Sequence, residues 1–238
     1  MKLSIIIPVF NEEKTIGRVL EKVSSVLMPG ISKEIIVVDD GSNDATASVI
    51  SNLKSQISNL KSIRHKTNLG KGSAVRTGIE NVTGDYLVIQ DADLEYDPKD
   101  IQKLIIPILK NEAKVVYGTR LRRWPNLAKD ERHPRFLIHY CGNKFLSLMT
   151  SILYGQWITD METCYKLFPK EAFDNIVLNS KGFDFEPEIT AKLMKKRYRI
   201  KEIPIKTEPR GYKEGKKLNT VKDGIKAFYS LLKYRFID

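Results

Sequence analysis

Residues 3–27 read LSIIIPVFNEEKTIGRVLEKVSSVL, and two periodicities meet inside them. Leu3–Phe10 is a short, nearly unbroken apolar run, as expected of a strand covered on both faces. Beyond Asn11 the apolar residues fall at Ile16, Val19, Leu20, Val23 and Leu27, the spacing of one helix face. Asn11 is the expected N-cap, with Glu12 and Glu13 suited to the first turn. A buried strand followed directly by an amphipathic helix is one β/α unit, and the unit recurs. EIIVVDD (34–40), a short strand near Ile63 and His65, DYLVIQD (85–91) and KVVYGTR (114–120) follow, separated by helical patterns. The alternation predicts an α/β fold: a mostly parallel central sheet with helices on both faces and a ligand edge at the strand carboxyl ends. The stretch SNLKSQISNLKS (51–62) repeats with a period of seven. It predicts one helix whose stripe of Ile50, Leu53, Ile57 and Leu60 packs on the sheet; two heptads are too few for a coiled coil.

After residue 120 the alternation fades. LRRWPNLAKDERHPR (121–135) reads as a basic loop, and FLIHYCGNKFLSLMTSILYG (136–155) as a largely apolar helix. In that helix, positions 137, 140, 141, 145, 148, 149 and 152 share a side that is expected mostly to pack on the sheet. YKLFP and YRIKEIPIKT read as strands, and NTVKDGIKAFYSLLKYRF as a terminal basic amphipathic helix. Charge divides with the pattern. Residues 1–120 carry 16 Lys and Arg against 15 Asp and Glu, a net +1; residues 121–238 carry 24 against 14, a net +10. The second half is suited to an anionic partner.

Several classes are excluded. No apolar run reaches the roughly 18–20 residues of a membrane span. The N-terminal apolar run is short, contains Pro8 and is followed by acids, so it is not a secretory signal. Cys141 and Cys164 alone make neither a disulfide framework nor a CxxC metal site, which points to a reducing cytoplasm. GKG at Gly70–Gly72 matches no P-loop, although Lys71 is a candidate neighbour of a phosphate. Nucleic-acid binding is not expected, because recognised motifs and aromatic platforms are missing.

The acids carry the chemistry. Asp39 and Asp40 end one strand, and Asp91, Asp93, Glu95 and Asp97 follow another at alternate positions without a Lys or Arg among them. In a parallel sheet these ends meet along one edge. Mutually repelling oxygens in that pattern suit a hard divalent cation, Mg²⁺ or Mn²⁺. An EF-hand is ruled out, since counting from Asp91 places Tyr96 and Gln102 where Gly and Glu are required. A two-carboxylate site on Asp93 and Glu95 leaves the remaining positions to water and substrate phosphates.

IIIPVFNEE, VVDDGSNDAT, NLGKGSAVRTG, DADLEYDP and VVYGTR occur in an order and spacing that resembles family 2 glycosyltransferases of the GT-A fold. DMETCYK, GFDFEPEITAKL and PRGYKEGKKL are similar to the polyprenyl-phosphate branch, which contains dolichol-phosphate mannose synthase. Nearly the whole chain is covered. The resemblance implies a nucleotide-sugar-binding half (1–120) and a basic acceptor-binding half (121–238) within one continuous domain. Pro8, Phe10 and Glu12 would line the nucleotide pocket, with Asp39 toward the nucleoside. Asp91, Ala92 and Asp93 would form the DxD motif at the nucleotide sugar. Asp93 and Glu95 would hold the metal; Glu95 stands where mannose synthases usually have Gln. Arg120, Arg210 and Lys216 would meet donor or acceptor phosphates. Asp160 would be a base or an orienting group.

The implied reaction is inverting, metal-dependent transfer of a hexose from GDP-mannose or UDP-glucose to a dolichyl or undecaprenyl phosphate. The alternative is a saccharide acceptor for a surface polymer. A cation on Asp93 would stabilise the departing diphosphate, assisted by Arg210 and Lys216. A lipid monophosphate, already ionised near neutrality, needs no base, whereas a sugar hydroxyl does. The expected location is cytoplasmic, with peripheral contact at the inner, anionic membrane face.

Overall fold

The computed structural model describes residues 1–121, 134–174, 176–208 and 220–237. In chain order these form β1 (Lys2–Val9), α1 (Ile16–Ser25), β2 (Ser32–Asp39), α2 (Thr46–Lys54), β3 (Leu60–Arg64), α3 (Lys71–Glu80) and β4 (Tyr86–Ile89). They continue with α4 (Asp100–Leu109), β5 (Val115–Thr119), α5 (Pro134–Tyr154), β6 (Lys166–Pro169), α6 (Phe185–Lys195), β7 (Ile200–Pro204) and α7 (Thr220–Phe236). The strands make one sheet in the order β3-β2-β1-β4-β6-β5-β7. All pairings are parallel except those of β6, which runs against both β4 and β5.

Every residue of β1 from Leu3 to Val9 is buried, as are Glu34–Asp39 of β2 and all of β5. Burial on both pleat faces is the reason these strands are apolar without alternation. Ser4 and Glu34 are exceptions satisfied in place. Ser4 Oγ donates to Glu34 Oε1 at 2.6 Å, and Lys2 Nζ lies 2.9 Å from Glu34 Oε2. Against the opposing effect of burial, Ser4, the side chain and backbone N–H of Thr83, and Lys2 hold the Glu34 carboxyl down at about 2.

Four local expectations give way. Thr15, not Asn11, precedes the first turn of α1; Asn11 sits at φ 50° and its Oδ1 accepts from Asn43 N at 2.8 Å. Leu27 lies past the end of α1 and is 78% exposed, whereas Ile16, Val19, Leu20 and Val23 are buried. The 51–62 repeat is not one helix: α2 stops at Lys54, and Leu60 opens β3, paired in parallel with Ile35 of β2. Pairing with a buried neighbour strand outweighs a two-heptad helical pattern. The fourth is α5, which is turned inside out. Asn143, Ser147, Thr150 and Ser151 face the interior with Leu146, while Phe145, Leu148 and Ile152 face outward. The inward hydroxyls find partners: Thr150 donates to Leu146 O, and Ser151 Oγ accepts from Ile158 N.

Candidate active site

The carboxyl ends of β1, β2, β4 and β5 open on one cavity of about 460 Å³. Pro8, Phe10 and Glu12 enter from the end of β1, Asp40 from β2, Asp91, Ala92, Asp93, Glu95 and Tyr96 from β4, and Arg120 from β5. Lys71 projects from the start of α3, and Glu186 from the first turn of α6. Among the described residues, eight acids stand on this wall, from Glu12 to Asp223, against the two permanent cations Lys71 and Arg120.

Asp40 organises the loop that presents Lys71. It accepts from the backbone N–H of Leu69 at 3.0 Å and of Gly70 at 2.7 Å, and contacts His65 Nδ1 at 2.7 Å. Gly70 has φ 97°, and a Cβ there would lie 2.3 Å from the carbonyl oxygen of Lys181. Only glycine lets this turn close against the 180–182 segment. Lys71 Nζ then reaches Asp91 Oδ1 and Glu186 Oε1, each at 2.9 Å. Burial opposes its charge, but the two carboxylates prevail and hold the ammonium well above its ordinary range.

Arg120 is fixed as firmly. Asp160, fully buried, accepts from the Arg120 backbone N, Nε and Nη2, each at 2.8 Å, and from Asn143 Nδ2 at 2.9 Å. Burial would raise the Asp160 carboxyl; Arg120 outweighs it and keeps the group ionised below the usual range. Asp160 therefore lies beneath the cavity as the anchor of Arg120, its oxygens already bonded. That geometry suits an orienting group.

Glu162 is different. It lines the cavity two residues from Asp160, and burial, then the neighbouring Glu186 and Asp160 charges, push its carboxyl up to about 7 despite Arg120. The turn that carries it is tied from below by the buried Lys166, whose Nζ donates to Met161 O and Thr163 O. Burial lowers Lys166 to about 8.

Of the residues anticipated from sequence, Pro8, Phe10, Glu12, Asp91, Ala92, Asp93, Glu95 and Arg120 meet at the cavity. Asp39 does not; its Oδ1 accepts from Ser42 N and its Oδ2 lies 3.2 Å from Arg64 Nε, so Asp40 is the β2 acid that reaches the wall. Arg210 and Lys216 lie outside the described residues. The segment leading toward them is placed, because Glu208 N donates to Glu95 O at 2.9 Å and Thr207 bridges to Tyr96. Glu162, Glu186, Tyr96 and Cys164 went unassigned in the sequence although their motifs were recognised.

Residues 4–177 match the family model described as glycosyl transferase family 2. The chain belongs to that family. It falls in the branch similar to dolichol-phosphate mannose synthase. A UDP-N-acetylglucosamine–dolichyl-phosphate N-acetylglucosaminyltransferase of Methanococcus voltae is 31% identical, over 96% of this chain and 94% of its own length. A dolichol-phosphate mannosyltransferase of Pyrococcus furiosus is 31% identical, over 98% of this chain and 64% of its own. The fold is GT-A. A glucosyl-3-phosphoglycerate synthase of Mycobacterium tuberculosis, solved with Mn²⁺, UDP and phosphoglyceric acid, superposes with a TM-score of 0.74 at 18% identity. It covers 100% of this chain and 79% of its own. This family 2 chain is thus a glycosyltransferase, and among its described residues no helix is long and apolar enough to cross a membrane.

Proposed function

We propose that this glycosyltransferase moves a hexose from a nucleotide sugar, GDP-mannose or UDP-glucose, to a polyprenyl phosphate with the help of Mg²⁺ or Mn²⁺. The observation that carries the reading is the charge among the described residues: eight acids line the wall with Lys71 and Arg120, an excess that a divalent cation would offset beside a diphosphate. The donor set fits a hard ion. Among the described residues no three acids or histidines already converge as a closed site. Asp93 and Glu95 suit a two-carboxylate site whose other positions fall to phosphate oxygens and water. When bound, the ion supplies Lewis-acid stabilisation of the departing diphosphate.

The chain's own residues do the rest. Pro8, Phe10 and Glu12 border the nucleotide end, with Asp39 a step behind Asp40. Arg120, pre-oriented by Asp160, directs its guanidinium toward the phosphates, and electrostatic preorganisation of this kind lowers the barrier without reorganisation during reaction. Arg210 and Lys216 add cations in the stretch that follows Glu208. An ionised lipid phosphate then attacks the anomeric carbon from the face opposite the leaving group, inverting it, and requires no base. Residues 1–120 supply the donor side and 121–238 the acceptor side. The outward apolar faces of α5 and α7, flanked by Lys144, Lys226 and Lys233, support peripheral contact with an anionic cytoplasmic membrane surface.

A second reading, a saccharide acceptor, is favoured by one observation: Glu162 is a cavity acid poised near neutrality, as a general base would be. Incubation of the purified chain with nucleotide hexoses, Mn²⁺ and a short-chain polyprenyl phosphate tests the first reading through release of nucleoside diphosphate. Absence of release with every hexose donor refutes it. Release only when a glycan replaces the lipid phosphate, and only while Glu162 is intact, selects the second.

A further inference from the structure

Glu186 presents a carboxylate that the protein does not satisfy. The residue lines the cavity yet is 6% exposed. Its Oε1 lies 2.9 Å from Lys71 Nζ, while its Oε2 is buried without a hydrogen-bond partner. A buried acceptor left without a donor costs free energy, so a ligand that brings a donor recovers it. The surrounding charges define that donor. Lys71 is shared with Asp91, Arg120 is bound to Asp160, and the buried Lys166 donates to carbonyls behind the wall. Glu162 adds a third carboxyl close enough for Glu186 to raise its proton affinity. Among the described residues, this end of the cavity therefore combines an open acceptor with two carboxylates, Asp91 and Glu186, that share the single ammonium of Lys71.

A group rich in hydroxyl donors and carrying no charge fits such a site; a carboxylate-bearing group does not. We infer that Glu186, held by Lys71, accepts a hydrogen bond from a hydroxyl of the transferred sugar, and that the cavity thereby selects uncharged sugars over uronic acids. The inference deepens the nucleotide-sugar reading and rests on it, with the diphosphate lying toward Asp93 and Glu95 and the sugar toward Glu186.

Donors differing only in oxidation at C6 provide the test. Affinities of the full chain for UDP-glucose and UDP-glucuronate, and for GDP-mannose and GDP-mannuronate, are measured by calorimetry with Mn²⁺ and normalised to UDP or GDP. The neutral member of the pair that binds is expected to be favoured by on the order of 100-fold, the effect of one like charge a few ångströms away in a partly screened site. Glu186→Gln is expected to cut that ratio by about tenfold while weakening the neutral sugar. If loss of the Lys71 partner prevents folding, Glu186→Asp serves instead; it keeps the rejection of uronates but weakens neutral sugars by withdrawing the acceptor. Equal affinity for both members of a pair, or a ratio unmoved by Glu186→Gln, overturns the inference and leaves the donor reading intact. Failure of every nucleotide and nucleotide sugar to bind overturns both.

Discussion

Asp93 and Asp160 are both acids beside the cavity, yet they should fail in different ways when altered. Asp93→Ala removes an oxygen from the expected metal site, so turnover should fall at least about 1,000-fold with the melting temperature little changed. Asp160→Asn strips Arg120 of its buried counter-charge, and breaking such a pair costs about 3–5 kcal/mol. Denaturant melts should register that loss, and weaker donor binding should accompany it. Glu162 gives a pH signature. Its folded carboxyl titrates at about 7, above the ordinary 4.5, so it binds a proton more tightly in the folded state. Its contribution to stability is complete below about 4.5 and is lost as pH rises through 7. Glu162→Gln should therefore raise stability at pH 8 by about 2–3 kcal/mol relative to its effect at pH 5, read from melts at both values. The expected role of Asp93 was legible in the residue order; the burial of Glu162 and the clasp of Asp160 on Arg120 were not. Glu186 in GFDFEPEI reads as an ordinary first-turn helix acid, and its pairing with Lys71 arises from residues more than a hundred positions apart.

Strands were the easiest elements to recognise, because burial on both faces leaves an uninterrupted apolar signature in β1, β2 and β5. Helices were harder, since their partners decide which face turns inward. The 51–62 repeat advertised a helix that ends at Lys54, and α5 hides its hydroxyl side because Asn143 and Ser147 serve Asp160 and Met161 from within. The exposed side of α5 makes a direct test possible. Leu148→Ser with Ile152→Ser should weaken sedimentation with anionic vesicles while leaving thermal stability within about 0.5 kcal/mol. An unchanged vesicle affinity would remove α5 from the acceptor surface. The turn before α3 is less forgiving. Gly70→Ala meets both a left-handed backbone and the Lys181 carbonyl, and a loss of at least about 1–3 kcal/mol is expected in denaturant unfolding.

Taken whole, the molecule is a sheet whose rim was foreseeable and whose floor was not. Acids at the ends of β1, β2 and β4 follow from β/α alternation, whereas Glu162 and Cys164 reach the same rim only because β6 runs backwards between β4 and β5. A reversed strand presents its entrance where its neighbours present their exits. The chain consequently departs from the rim at Arg120, makes an excursion through α5, and returns to the rim at Asp160, where the two ends are clasped by the Arg120–Asp160 ion pair. Substitutions on the outward face of α5, at Phe145, Leu148 and Ile152, are therefore expected to leave the strands in place, whereas changes at Asn143 would loosen the latch itself.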